Sequence, residues 1–129
     1  MARTARDLTA EELRSYCPWQ NLERYQKDPE VAKRRGRAWE VARAAARLLK
    51  TQYGATRVVA FGSLVHRSRF TPWSDVDLAA WGIAPEKYYS AAGAVMDVGL
   101  EAGIKVDVID TKDCSKDFLS DIEQEGIEL

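Results

Sequence analysis

The sequence is short of cysteine, of histidine and of net charge, and each shortage removes a class of function. Its 129 residues include two cysteines, Cys17 and Cys114, far apart in the chain, and one histidine, His66. Neither cysteine belongs to a CxxC or Cys/His cluster, which argues against a zinc site; two free thiols in a reducing compartment are expected instead. Net charge is −1, which speaks against a protein held to nucleic acid by phosphate attraction. No apolar run approaches the roughly 20 residues of a membrane span. Met1 to Asp7 carries charge with no apolar stretch behind it, so no secretory leader and a cytoplasmic location are expected. There is no internal repeat, low-complexity tract or Gly/Ser linker.

What remains is an ordinary globular composition, 46% hydrophobic and 30% charged, of a length that suits one domain. The charge is unevenly spread. From Arg24 to Arg69 there are twelve Lys/Arg against three Asp/Glu, and from Val95 to Leu129 three against ten. A basic half and an acidic half suit a protein that handles both polyphosphate and a metal ion, although individual solvated charges carry no such meaning.

Local signals divide the chain into elements. Residues 1–30 read as a helical extension, with Thr9 as a cap and Pro18 as an interruption. Asp28-Pro29-Glu30 starts the domain proper, residues 31–129, as cap and first turn of a long helix. From Val31 to Tyr53, Trp39, Ala42, Ala46 and Leu49 recur at spacings of three and four, with Val41, Ala45 and Leu48 widening the stripe; Gly54 stops it. Arg57–Phe61 is a β-branched apolar run and reads as a strand. Leu64–Trp73 is irregular, Asp75–Trp81 reads as a second strand, and Pro85 opens a helix to about Ala102, with Tyr88, Ala92, Val95, Met96 and Leu100 inward. Lys105–Ile109 is a third strand, and a last helix covers Ser115–Gln124. The expected fold is therefore α/β (α+β), a small mixed sheet of three to four strands packed with helices.

The acids fall in a telling place. Asp75 and Asp77 sit two apart, so on a strand both side chains leave the same face while Val76, Leu78 and Ala80 enter the core. Asp107 lies in a separate apolar strand between Val106 and Val108. Acids gathered on half-buried strands repel and lose hydration, and a divalent cation resolves the conflict: Mg²⁺ takes hard oxygen ligands and keeps phosphate oxygens in its shell. An Asp-x-Asp pair alone is a common strand end; the third acid gives it weight. Gly62-Ser63 directly follows the first strand, where glycine permits close backbone approach and N–H groups can cradle phosphate. Arg67 and Arg69 in the following loop could reach a polyphosphate, Ser74 could add a hydrogen bond, and His66 reads as an exposed loop residue.

Taken together, Val58-Val-Ala-Phe-Gly-Ser63 and Thr71-Pro-Trp-Ser-Asp-Val-Asp-Leu-Ala79 resemble the polymerase-β-like nucleotidyltransferase superfamily, and within it the minimal nucleotidyltransferases of bacteria and archaea. Eleven residues, Leu64 to Ser74, separate Gly-Ser from the first Asp, one more than is usual there. The resemblance implies that Gly62, Ser63, Ser74 and Arg67 bind a nucleoside triphosphate. It also implies that Asp75, Asp77 and Asp107 are catalytic and hold two Mg²⁺ ions, with Asp107 also activating the attacking hydroxyl. The implied reaction moves a nucleoside monophosphate, AMP from ATP by default, to a hydroxyl acceptor. The implied partner is a small helical HEPN-type toxin modified on tyrosine, which would make this chain its antitoxin. A small-molecule acceptor, as in aminoglycoside-modifying enzymes, and a catalytically silent binding module are the other readings. Self-association stays open, and no strong nucleic-acid binding is expected.

Overall fold

A computed structural model describes residues 24–129; the expected helical extension and Cys17 lie outside or largely outside that range. Helix α1, Pro29–Gln52, begins where Asp28 accepts a 2.9 Å hydrogen bond from the Glu30 N–H, with proline in the first turn. This is the cap the sequence called for, and it satisfies a donor that the helix itself cannot. Strand β1, Arg57–Phe61, follows, then β2, Val76–Trp81, helix α2, Tyr88–Leu100, and β3, Val106–Asp110. Helix α3, Lys116–Glu125, is capped by Ser115, whose Oγ accepts from the Phe118 N–H, and a two-residue strand, β4, Ile127–Glu128, completes the chain.

The sheet order is β3-β2-β1-β4. β1 runs antiparallel to β2 and to β4, and β2 runs parallel to β3. A parallel pair needs a crossover connection, and α2 is that connection. The mixed α+β sheet agrees with the expectation from sequence.

Strand alternation sorts the sheet into two faces. Val58 and Ala60 of β1, Val76, Leu78 and Ala80 of β2, and Val106 and Val108 of β3 are buried with Val31, Ala38, Ala42, Leu49, Ala91 and Val95 from α1 and α2 in the main core. On the other face Val59 and Ala79 meet Ile122 of α3, with Phe61, Trp81 and Ile109 partly buried around them.

Three expectations need correction. The inward face of α2 is Ala91, Val95 and Gly99. Val95 is as expected, with Tyr88 and Ala92 packed beside it, but Met96 and Leu100 point outward, 48% and 75% exposed. The physical reason is Gly99: a Cβ there would lie 2.0 Å from the Ile104 carbonyl oxygen and 2.8 Å from Val106. The helix is rolled until its glycine touches β3, which carries Met96 and Leu100 outward. Asp75 and Lys105 were placed inside strands, yet each stands just before one, because β2 starts at Val76 and β3 at Val106. The segment Leu64–Trp73 is more ordered than its composition suggests: it contains a 3₁₀ turn at Arg67–Arg69, and Leu64 and Phe70 are fully buried.

Candidate functional site

The acids stand on the α3 face of the sheet. Asp77 leaves β2 on the side opposite Val76 and Leu78, and the parallel register sets it directly beside Asp107 of β3 and opposite Phe61 of β1. The next two residues of the chain after Phe61 are Gly62 and Ser63, so the turn and the acid pair meet at one end of the sheet. Gly62 has φ +77°, a conformation other residues rarely adopt. A Cβ there would lie 2.8 Å from Asp77 Oδ2. The glycine is thus required twice, once by its own backbone and once by the carboxylate it faces.

Burial raises the Asp77 carboxyl above its ordinary value, and the neighbouring charges of Asp107 and then Asp75 push the same way; Lys105 opposes them. Both neighbouring acids therefore act on Asp77 through space. They are not gathered into a cage: among the described residues no three His, Cys, Asp or Glu side chains stand together as a ready metal site. Asp107 Oδ2 is instead 3.6 Å from Lys105 Nζ, a half-exposed pair. The donor set still suits a hard divalent cation: carboxylate oxygens, one of them destabilised as an anion by its surroundings, beside a backbone turn open to ligand.

Of the remaining expected residues, Ser74 is buried and its Oγ accepts from the Thr71 N–H at 2.8 Å, closing the turn before Asp75. Arg67 is exposed in its 3₁₀ turn. Asp110 accepts from the Lys112 N–H at 3.0 Å as the cap of the turn after β3. His66, beside the loop, pairs with Glu125 of α3 at 3.2 Å.

Sequence reasoning missed Arg34 and Arg35. Arg35 donates from Nε and Nη2 to the Leu64 carbonyl, at 3.1 and 2.9 Å, and so pins the chain immediately after Gly62-Ser63. Arg34 donates to the Ser74 carbonyl at 3.3 Å and the Gly103 carbonyl at 3.4 Å, tying together the approaches to β2 and β3. Both belong to a basic helix whose arginines read as a solvated face, and nothing in local sequence marks two of them as clamps.

A cavity of about 200 Å³ adjoins the Gly62 turn, lined by Phe61, Phe118, Asp121, Ile122 and Glu125. Phe61 and Phe118 meet edge to face at 5.7 Å between ring centres. A larger cavity, about 470 Å³, lies away from the acids between the end of α1 and β4, among Arg43, Arg47, Lys50 and Glu128. Its size does not make it the reactive centre, since no acid cluster or glycine turn borders it.

No protein-family model and no curated protein matches the sequence. Solved structures do. One described as a candidate minimal nucleotidyltransferase has 24% identity and a TM-score of 0.53, over 77% of this chain and 95% of that one. The fold is that of the minimal nucleotidyltransferases. A mutant toxin–antitoxin complex containing MntA is similar at 19% identity and TM-score 0.51, over 67% of this chain and 69% of that one. A toxin–antitoxin structure with AMP-PNP is similar at 17% identity and TM-score 0.51, over 64% and 66%.

Proposed function

We propose that this chain is a Mg²⁺-dependent nucleotidyltransferase that moves AMP from ATP to a hydroxyl acceptor. The observation that carries the reading is Asp77 held in register beside Asp107, with its carboxylate against the Gly62 turn. One acid raised by burial and then by its neighbours is what a cation site looks like before the cation relieves it.

Each residue then has a role. The Gly62-Ser63 turn offers backbone N–H groups and a hydroxyl to the triphosphate, and Arg67 adds positive charge. Arg35 keeps that turn in place through the Leu64 carbonyl. Asp75, Asp77 and Asp107 would hold two Mg²⁺ ions, which neutralise the charge that develops on attacking and leaving oxygens. Asp107 takes the proton from the acceptor hydroxyl. The hydroxyl oxygen bonds to the α-phosphorus, the bond to the bridging oxygen breaks, and pyrophosphate leaves. Ser74 supports the site through the turn it closes as well as through any contact of its own.

The acceptor we favour is a tyrosine of a HEPN-type toxin, with this chain as antitoxin. Support comes from the fold shared with structures of toxin–antitoxin complexes, one of them with AMP-PNP. The exposed basic side of α1 and the acidic α3 supply complementary patches for such a partner.

Intact-mass analysis tests this. The chain is incubated with Mg²⁺, ATP and the product of the adjacent gene. The expected result is the gain of one or more AMP units on the partner, lost with Asp77→Asn. AMP transfer to small hydroxyl compounds without transfer to the partner would sink the antitoxin role and keep the chemistry.

A further inference from the structure

Helix α2 has two apolar surfaces, and the second has no partner among the described residues. Ala91, Val95 and Gly99 face the sheet. Tyr89, Gly93, Met96 and Leu100 recur at spacings of four, three and four, which places them within about 60° of one another around the helix. Tyr89 is 88% exposed and Leu100 75%. Scattered apolar residues on a surface need no account, but a stripe with this repeat has the spacing that helix pairs use at their seams. Gly93 leaves a notch in it, since a Cβ built there meets nothing within 4 Å. At the far end from Tyr89 the seam adjoins an apolar cavity of about 340 Å³, lined by Met96, Leu100, Gly103, Ile104 and the polar Asp97 and Lys105.

We propose that this face docks a second copy of the same chain, with the two α2 helices antiparallel about a two-fold axis. The occupant follows from the pattern. A two-fold arrangement that seats Met96 in the notch at Gly93 of the partner subunit also sets Tyr89 against Leu100 of the partner subunit. The projecting ring at one end of the seam then meets the cavity at the other end, and the same contact is made twice. A surface with a knob at one end and a hole at the other fits itself when reversed, which is the self-complementarity that an isologous interface demands. The cavity's Asp97 gives the incoming phenol hydroxyl an acceptor. The acids lie on the α3 face of the sheet, away from α2, so pairing leaves both candidate sites open, and the contact does not depend on the chemistry proposed there.

Light scattering or sedimentation on the full chain at about 100 μM tests this, a concentration at which a Kd of about 1 μM leaves nearly all chains paired. The expected mass is twice the 14.5 kDa of one chain. Leu100→Glu puts a charge in the seam, Gly93→Leu fills the notch, and Tyr89→Ser removes the knob. All three positions are exposed in the monomer, so unchanged circular dichroism is expected. Each is expected to raise the dimer Kd at least about tenfold, read from a dilution series carried down through the wild-type Kd. A wild-type chain that stays at 14.5 kDa, or a dimer indifferent to Leu100→Glu and Tyr89→Ser, would overturn the proposal.

Discussion

The two faces of the sheet are built to different ends. On one, α1 and α2 cover Val58, Ala60, Val76, Leu78, Ala80, Val106 and Val108 in a continuous apolar core. On the other, α3 contributes Ile122 to a small cluster with Val59 and Ala79 and leaves Asp77 and Asp107 half-buried. The same strands supply both, residue by alternate residue. Hydrophobic burial on the first face stabilises the domain enough for the second to hold a carboxylate that its surroundings disfavour. Such local cost beside a well-packed core is the usual mark of a reactive site.

Substitutions on the two faces should therefore fail differently. Asp77→Asn is expected to lower AMP transfer by at least about a thousandfold while raising the metal-free melting temperature by a few degrees, on the order of one repulsive interaction removed. Parallel activity and melting measurements check this, and a drop in both would mean that Asp77 is structural. Leu78→Ala, on the packed face, should cost about 2–5 kcal/mol in denaturant unfolding; in the fraction that stays folded, transfer should persist. Gly62→Ala combines a left-handed backbone with a carboxylate in the way, and should cost about 1–3 kcal/mol together with most of the transfer activity. Phe118→Ala, on the thinly covered face, should cost only about 1 kcal/mol. If Phe118→Ala cost as much as Leu78→Ala, the contrast between the faces would be wrong.

The smallest effect is in pH. Burial, Asp107 and Asp75 raise the Asp77 carboxyl, so the folded chain keeps that proton to higher pH than the unfolded chain does. Stability then falls as pH rises from the ordinary carboxylate range through Asp77's raised value, and the cost is fully present above it. Glu123, lowered by its hydrogen bonds to Arg57, has the opposite sign: its contribution is lost as pH falls. Comparing wild type with Asp77→Asn isolates the first from the second. The difference in stability between them should shrink on acidification through that window, and a difference independent of pH would contradict the assignment.

Much of this arrangement was legible in the sequence because strand alternation and helix caps are local. Val76, Leu78 and Ala80 announced the core face of β2 and thereby the face of Asp77. Asp28 announced its helix. The roll of α2 was not legible. Met96 and Leu100 fit an inward stripe as well as Val95 does, and only the approach of Gly99 to Ile104 decides against them. Arg34 and Arg35 were hidden for a similar reason: their acceptors, the carbonyls of Leu64, Ser74 and Gly103, are distant in sequence. Leu64 and Phe70 sat in a stretch whose polarity concealed two buried anchors. Local pattern fixed what each strand presents, while tertiary contact fixed how the turn and loops are held against it.

The central claim is that Asp77 and the acids around it, beside Gly62, bind nucleotide through a divalent cation. Calorimetric titration of ATP into the chain, with Mg²⁺ and again with EDTA, tests it most directly. The account predicts clear binding with Mg²⁺, a large loss of affinity with EDTA, and no difference between the two conditions in Asp77→Asn. ATP binding of equal strength with and without Mg²⁺ in the wild-type chain would contradict it.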